Sequence, residues 1–474
     1  MTDAPRFSFH PLERRGLLIG LSGGQLAAIG GGSVTALFLH AAIAGPTGVV
    51  AGVVIWMGIT VASLWVRNGH PVGWWGVLAA GWTLRRGRRL DDRPTEGALL
   101  SGSRTDVRRR PHDGRRSRSG HEPSRRRSRH GGRGRRPGLP GVSIGSVPGA
   151  PGEPDIGVVT DRRAGTCSAI VAVDGCSFSL LDPDGQAQRM ESWRRVLGTL
   201  ARPGGAVTRI QWVQGSTSEA LPVPTTGEGD MGDRYRRLIE SAGRDLWFHR
   251  TWVVISVGGR RPGPASVSSL RRELRLLEGQ LRAAELCPGP PLDVEAVAGL
   301  IDGDAGGSPL ATDDKWSCHR VDGGWHATYW ISEWPRLEVG PDFLSPVLVG
   351  SFRSRLAVVM APVPIDRAMR EVRSARTADL ADAELRARAG FLPSVRRDRE
   401  SEGVTRREEE LAAGHHEYRF SGYLTVSADD REGLTRVCAE AEHAAQSAHL
   451  EIRRLYGRQA EAYTWTLPLG RGLR

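Results

Sequence analysis

The most constraining feature of this chain is a long apolar stretch near its beginning. Residues 16–66 are 51 consecutive positions without an aspartate, glutamate, lysine or arginine. Only Gly45-Pro46-Thr47-Gly48 interrupts the stretch, and Gly-Pro favours a reversal of chain direction. The flanking segments Leu17–Ile43 and Val49–Val66 each approach the roughly 20 apolar residues that a helix needs to cross a bilayer. We therefore predict a two-helix transmembrane hairpin within residues 1–90.

Charged and aromatic residues around this stretch predict its orientation. Arginines precede the first span and follow the second, whereas the connecting loop is uncharged, so both termini are predicted to be cytoplasmic at the inner (plasma) membrane. Tryptophans and arginines after the second span predict a short segment anchored at the membrane surface. These predicted membrane-interface residues are Trp65, Trp74, Trp75, Trp82, Arg85, Arg86, Arg88 and Arg89. A signal peptide would have a shorter apolar core, and a buried hairpin of a soluble protein would carry more polar residues on one face.

The positive charge of the chain is concentrated in one segment. The net charge is +12, and residues 101–136 supply +11 of it, with 14 arginines against three acidic residues. This composition, rich in glycine, serine and proline, cannot bury a core, so residues 91–150 are predicted to be an Arg-rich disordered linker. The part from Arg108 to Arg136 could instead bind anionic lipid or nucleic acid through salt-sensitive contacts. Both interpretations stay open.

Residue patterns typical of catalysis are missing from the sequence. Lys315 is the only lysine, and its neighbours Asp314 and Trp316 do not match the G-x-x-x-x-G-K-[ST] pattern of a phosphate-binding loop. The five cysteines include no C-x-x-C pair, so neither a zinc site nor a disulfide framework is indicated. We predict a protein that is not an enzyme, with no catalytic, cofactor-binding or metal-binding residues and no cofactor.

The remaining sequence predicts an α+β fold in two domains, residues 151–305 and 306–474. Each domain has a hairpin followed by helix, strand, helix and strand, which is typical of helices packed on one face of an antiparallel sheet. Asp182-Pro183 predicts a helix start, and Asp174-Gly175 predicts a hairpin that leads into a further strand. The second domain repeats the order of elements without a residue-level repeat.

Four segments of this soluble part have a distinctive sequence. They are Pro151–Arg163, Asp182–Gln188, Ile331-Ser-Glu-Trp-Pro335 with Phe343–Leu348 after it, and the ending from Arg453 to Gly470. Together with the predicted hairpin, they resemble an actinobacterial family of two-span membrane proteins encoded in conjugative and type IV secretion-like loci. The resemblance covers the chain except for roughly residues 100–145, where the arginine tract replaces a more ordered connector. It implies a cytoplasmic region similar to the non-motor N-terminal part of conjugation ATPases.

This resemblance implies a function as well as a fold. The chain would be a non-catalytic inner-membrane scaffold of a transfer system that docks a separate ATPase and could form homo-oligomers. The alternatives are a membrane-tethered nucleic-acid-binding protein and a component of a type VII secretion membrane complex. Trp334 and Pro335 are the candidate partner interface, because proline fixes φ and tryptophan supplies a large, rigid contact area. Packing of Trp334 in the core beneath the Phe343 helix is the alternative.

Overall fold

A computed structural model of the chain forms two compact units, one within residues 15–132 and one within residues 133–474. It describes residues 23–43, 45–64, 66–67, 70–71, 75–76, 78–84, 139, 141–149, 152, 154–174, 178–218, 231, 234, 237, 247–258, 263–302, 313–321, 323–388 and 395–473.

The first unit is a pair of packed apolar helices. Helix α1 spans Gly23–Ala42 and helix α2 spans Pro46–Leu64, and two short strands follow, β1 (Val66–Arg67) and β2 (His70–Pro71). Between the helices Gly45 adopts φ +105°, a conformation that glycine tolerates, and the chain reverses where the Gly-Pro sequence predicted it. The helices approach closely, since the indole N–H of Trp56 on α2 donates to the Ser33 hydroxyl on α1 at 3.0 Å.

The membrane prediction is met for one of these helices. The segment Pro46–Ser63 of α2 is long and apolar enough to cross a bilayer, whereas the apolar part of α1, Ala27–Ala42, is shorter. The beginning of the predicted first span, before Gly23, lies outside the described residues. An apolar helical hairpin is therefore present, and a second full-length span is not shown.

The second unit is an α+β structure built on one large antiparallel sheet. Its strands are β3 (Val142–Val147), β4 (Ile156–Asp161), β5 (Thr166–Asp174), β6 (Val207–Ser218), β7 (Trp247–Gly258), β8 (Cys287–Pro291), β9 (Asp313–Asp314), β10 (His319–Val321), β11 (Gly324–Glu333), β12 (Ser354–Pro362), β13 (Tyr418–Ala428) and β14 (Glu451–Arg454). Its helices are α3 (Pro183–Leu200), α4 (Pro264–Ala283), α5 (Val294–Asp302), α6 (Ser345–Leu348), α7 (Ile365–Arg388), α8 (Val395–Ala412), α9 (Arg431–Ser447) and α10 (Gln459–Thr466).

Two copies of one arrangement form this sheet. In the first half, β5-α3-β6 and β7-α4-β8 give the strand order β8-β5-β7-β6. In the second half, β11-α6-β12 and β13-α9-β14 give the order β14-β11-β13-β12. Each half is thus a ferredoxin-like βαββαβ unit, and a hairpin precedes each one, β3–β4 and β9–β10. The repeated order of elements is present in the structure.

The two halves share the sheet because their edge strands pair with each other. Strands β6 and β12 are antiparallel, with Met360 opposite Ile210 and Ser354 opposite Ser216. This pairing removes two exposed sheet edges that would otherwise attract other chains. The predicted domains 151–305 and 306–474 are therefore halves of one continuous sheet. The predicted linker boundary at residue 150 is too late, because β3 pairs with β4.

Helices cover both faces of the sheet, unlike the predicted single face. Helices α3 and α4 pack on one face of the first half and α9 packs on the same face of the second half. Helices α5 and α10 pack on the opposite face, with the C-terminal tail from Leu467. The sequence did not predict α10 because its buried residues include Gln459, Thr464 and Thr466, so the helix has no apolar stripe.

The structure confirms one predicted helix start and contradicts one predicted strand. The Asp182 carboxylate accepts a hydrogen bond from the Gly185 N–H at 2.8 Å, and Pro183 begins α3. The strand predicted after Asp174-Gly175 is wrong, because Phe178–Leu180 form a 3₁₀ turn that leads into α3. The end of β5 already pairs with β7 and β8, so no free edge is left for another strand.

Candidate functional site: an arginine-lined cleft

The C-terminal tail crosses the sheet and connects its two halves. The side chain of Gln211, fully buried on β6, donates to the carbonyls of Trp465 and Leu467 at 2.9 and 3.0 Å. Its carbonyl oxygen accepts from the Gly470 N–H at 2.7 Å. On β13 of the other half, the Tyr423 hydroxyl donates to the Gly472 carbonyl. The tail is therefore hydrogen-bonded to strands of both halves.

A cleft of about 320 Å³ lies beside the end of this tail. Its walls come from the β4–β5 turn, the start of β6, the end of β12, the start of α7, the start of β13 and Leu473 of the tail. The polar and charged side chains in these walls are Thr166, Thr208, Arg209, Arg367 and Arg419. The cleft thus lies where the two ferredoxin-like units meet, and three arginines from three elements line it.

Two carboxylates next to the cleft neutralise part of this positive charge. Glu371 on α7 accepts from Arg367 Nε at 2.9 Å and from Arg419 Nη2 at 3.0 Å. The hydrogen bond from Arg367 holds the pKa of the Glu371 carboxyl below its ordinary value, and Arg419 and Arg407 act in the same direction. Asp161 is paired with Arg471. Arg209, Arg367 and Arg419 line the cleft, and Glu371 and Asp161 beside it neutralise part of their positive charge.

Arg209 is the most constrained of the three cleft arginines. Burial lowers the pKa of its guanidinium, and the nearby Asp161 carboxylate partly offsets the effect. Its Nη1 donates to the Gly470 carbonyl at 3.0 Å, which holds the side chain against the tail. Guanidinium groups fixed in this way suit recognition of phosphate or carboxylate, because each presents several N–H donors in one plane.

Thr166 adds an unusual polar group to the cleft wall. The residue is 3% exposed, and its hydroxyl oxygen makes no hydrogen bond in the part of the chain that the structure describes. A buried hydroxyl without a partner costs about 1–3 kcal/mol, so such groups are uncommon and need an explanation. The neighbouring Thr208 hydroxyl, by contrast, donates to the Ser256 carbonyl at 3.1 Å.

The predicted partner-interface residues lie elsewhere, after the end of β11. The Trp334 ring is half-buried and meets Phe343 and Phe420 edge-on, with ring centroids 6.4 and 5.5 Å apart. Pro335 is buried. Trp334 therefore packs at the rim of the core of the second half, as the core alternative expected. Its role in an interface stays a prediction.

Two of the predicted membrane-interface residues are within the described part of the chain. Trp75 and Trp82 are half-buried in short helical segments after α2, at residues 75–76 and 78–84. Trp65, Trp74, Arg85, Arg86, Arg88 and Arg89 lie outside the described residues, as does the arginine tract.

Lys315, the only lysine, has local partners. Its Nζ lies 4.8 Å from the centroid of the Trp325 ring and 3.6 Å from the Asp313 carboxylate. Among the cysteines, Cys167, Cys318 and Cys438 are buried free thiols and Cys287 is an exposed one. Burial raises the pKa of the Cys167 thiol to about 11, which keeps it protonated and unreactive at neutral pH.

The sequence carries no recognisable signal for the cleft residues. Arg209, Arg367 and Arg419 belong to three segments far apart in the chain, and Arg367 lies in a helix with several other arginines. No local motif connects them, so only the strand order could have brought them together.

No protein-family model matches the chain, and no curated protein is significantly similar to it. Membership of the actinobacterial transfer family therefore stays a prediction based on the short motifs.

Proposed function

We propose that this chain is a non-catalytic inner-membrane scaffold of a conjugative or type IV secretion-like transfer system. In this proposal α1 and α2 form a two-span hairpin with both termini in the cytoplasm. The observation that carries the proposal is α2, which is long and apolar enough to cross a bilayer and packs against a second apolar helix. The arginines on both sides of the hairpin and its uncharged turn support the orientation.

The construction of the soluble unit supports a scaffold role. The β6–β12 pairing makes one sheet of two halves, and the C-terminal tail is hydrogen-bonded across it. A body stabilised in this way keeps its surface in a fixed arrangement, which reduces the ordering cost of binding a partner. The proposed partner is a separate transfer ATPase, which would supply the motor in trans.

The rim around Trp334 is the proposed docking surface. Leu337, 64% exposed, follows the half-buried Trp334, and Phe420 is 38% exposed beside the same ring. Clusters of aromatic and aliphatic groups that are partly exposed are typical centres of protein interfaces. Helices α7 and α8, which lie between β12 and β13 in the chain, are rich in charged residues and are linked by an Arg376–Glu408 ion pair. We propose that they provide a second, polar contact surface for the partner.

Cysteine labelling in intact cells tests the membrane arrangement. Cys287 is exposed and would itself react, so Cys176 and Cys287 are first replaced by serine. A cysteine at Thr47, an exposed residue in the first turn of α2, should react with a membrane-impermeant maleimide from outside. A cysteine at Ser103 should react only after the membrane is permeabilised.

The unmodified Cys287 provides the matched control for the soluble unit. In a Cys176→Ser protein, it should stay unlabelled in intact cells and react after permeabilisation. Labelling of Cys287 from outside would place the soluble unit outside the cell and exclude docking of a cytoplasmic ATPase. Equal extraction of the protein by carbonate buffer and by detergent would exclude insertion in the membrane.

A further inference from the structure

We propose that the arginine-lined cleft is a binding site for the phosphate group of a small phosphorylated molecule. Arg209, Arg367 and Arg419 supply guanidinium donors from β6, α7 and β13. Asp161 and Glu371 neutralise only part of the charge of these three arginines, so the wall of the cleft stays positive. A phosphate group at pH 7 carries between one and two negative charges, which such a wall attracts.

The backbone adds to this positive potential. Val363 and Pro364 form part of the wall, and they immediately precede α7, a 24-residue helix that begins at Ile365. The N-terminus of a helix carries a partial positive charge and commonly lies next to bound phosphate. The exposed Asp366 is the only carboxylate in that first turn, and its negative charge weakens this effect.

Thr166 is a further polar residue in the wall that the arginines share. Its hydroxyl oxygen has no hydrogen-bond partner among the described residues and almost no accessible surface, so it lies just behind the surface of the cleft. We expect a bound ligand to draw this hydroxyl into a hydrogen bond, which would relieve the cost of leaving it unpaired.

The size and shape of the cleft limit the class of ligand. A volume of about 320 Å³ is near the lower end of the roughly 300–1,000 Å³ of small-molecule sites. It fits a phosphate with one small organic group, such as a nucleoside monophosphate or a lipid headgroup. The shared chemistry is a terminal phosphate monoester.

Binding of inorganic phosphate to the full-length protein in detergent micelles tests the site. Titration calorimetry at constant ionic strength, with sodium chloride as the matched salt, should give saturable binding of phosphate. The double variant Arg367→Gln/Arg419→Gln should bind at least tenfold more weakly, because it removes two guanidinium groups that are each about half exposed. Arg406→Gln, an exposed arginine on α8 paired with Glu410, is the control and should bind as the wild type does.

Thr166→Val separates a ligand role from a structural role. Without phosphate, the thermal unfolding temperature should stay the same or rise, because valine has the same shape and removes a buried unpaired hydroxyl. The affinity for phosphate should nevertheless fall several-fold. No saturable phosphate binding by the wild type, or equal affinity in wild type and the double arginine variant, would overturn the proposal.

Two further ligands identify the source of the phosphate. AMP represents soluble monoesters, and phosphatidic acid in phosphatidylcholine nanodiscs represents lipid headgroups. If the wild type binds one of these two ligands more tightly than the double arginine variant does, the proposed site is supported and that ligand shows whether the phosphate is soluble or part of a lipid. If AMP and phosphatidic acid each bind the wild type no more tightly than they bind the double arginine variant, the cleft is not a phosphomonoester site.

Discussion

The side chain of Arg471 donates a hydrogen bond to the buried carboxylate of Asp161, with Nε 2.5 Å from Oδ2, although 310 residues separate them in the chain. The second carboxylate oxygen accepts from the backbone N–H groups of Arg163 and Ala164 at 2.8 and 3.1 Å. One ion pair therefore fixes the tail to the turn between β4 and β5.

Replacement of Asp161 by asparagine should lower the free energy of unfolding by about 3 kcal/mol, because Arg471 would remain buried without its counter-charge. Urea unfolding followed by tryptophan fluorescence measures this change. Glu410→Gln, which breaks the exposed pair with Arg406, should change stability by less than about 1 kcal/mol. Similar effects of the two substitutions would show that the Asp161 pair is not a stabilising contact.

The same carboxylate gives the fold a dependence on acid. Burial raises the pKa of Asp161, but the hydrogen bonds from Arg471, Ala164 and Arg163 outweigh burial and hold it below its ordinary value of 3.8. A group with a lowered pKa stabilises the fold fully above its unfolded value and loses this contribution as the pH falls below it. Stability should therefore fall below about pH 4 in the wild type, and this decrease should be smaller in Asp161→Asn.

His326 should produce a separate decrease at higher pH. Burial lowers the pKa of its imidazole to about 4 from 6.5, although the Val321 carbonyl acts in the opposite direction and Arg355 and Arg353 lower the pKa further. The ring is neutral in the fold, with Ser427 Oγ 2.8 Å from Nδ1. The unfolded chain takes up the proton first, so stability should be lost progressively between pH 6.5 and about 4, by roughly 3 kcal/mol at most.

Thermal unfolding from pH 7 to pH 3 measures this effect. His326→Gln should have a flatter profile between pH 6.5 and 4 and should keep the decrease below pH 4 that depends on Asp161. An unchanged profile in this variant would exclude His326 as the titrating group.

Gly470 is the position where the tail least tolerates a side chain. It adopts φ +66°, and a Cβ there would lie 2.4 Å from Ser256 Oγ. Gly470→Ala should therefore destabilise the fold by about 2 kcal/mol, and Ser256→Ala in the same chain should restore part of the loss. Gly279→Ala is the control, because its Cβ would meet no atom within 4 Å and alanine favours the interior of α4, so stability should rise by up to about 1 kcal/mol.

Sequence patterns predicted the elements of each half better than their assembly. Asp182-Pro183 predicted the start of α3, because this signal is local. The pairing of β6 with β12 could not be predicted, since each strand has the same apolar pattern whether it lies at an edge or in the middle of a sheet.

The sequence does not indicate two features of the structure, the strand β8 and the cleft. The segment Cys287-Pro-Gly-Pro-Pro291 has three prolines and a glycine, yet it is β8, at an edge of β5 where proline is tolerated because a missing N–H can face away from the partner. The cleft depends on Thr166, Arg209, Arg367 and Arg419, which come together only after both halves have formed. A site made from distant residues of a duplicated fold leaves no spacing to recognise.

The last prediction concerns the rim around Trp334. Trp334→Ala should lower stability by about 2 kcal/mol, because the ring contacts Phe343 and Phe420, so this variant cannot by itself identify an interface.

Leu337 offers a cleaner test, since its side chain is 64% exposed and its replacement by serine should leave the unfolding temperature unchanged. If the rim docks a transfer ATPase encoded at the same locus, Leu337→Ser should reduce the amount of that ATPase that co-purifies with the detergent-solubilised protein. The matched control is Leu180→Ser, which changes an exposed leucine in the first half and should retain the ATPase. Equal recovery with both serine variants would mean that Trp334 acts only in the core, and the docking surface would have to lie elsewhere on the protein.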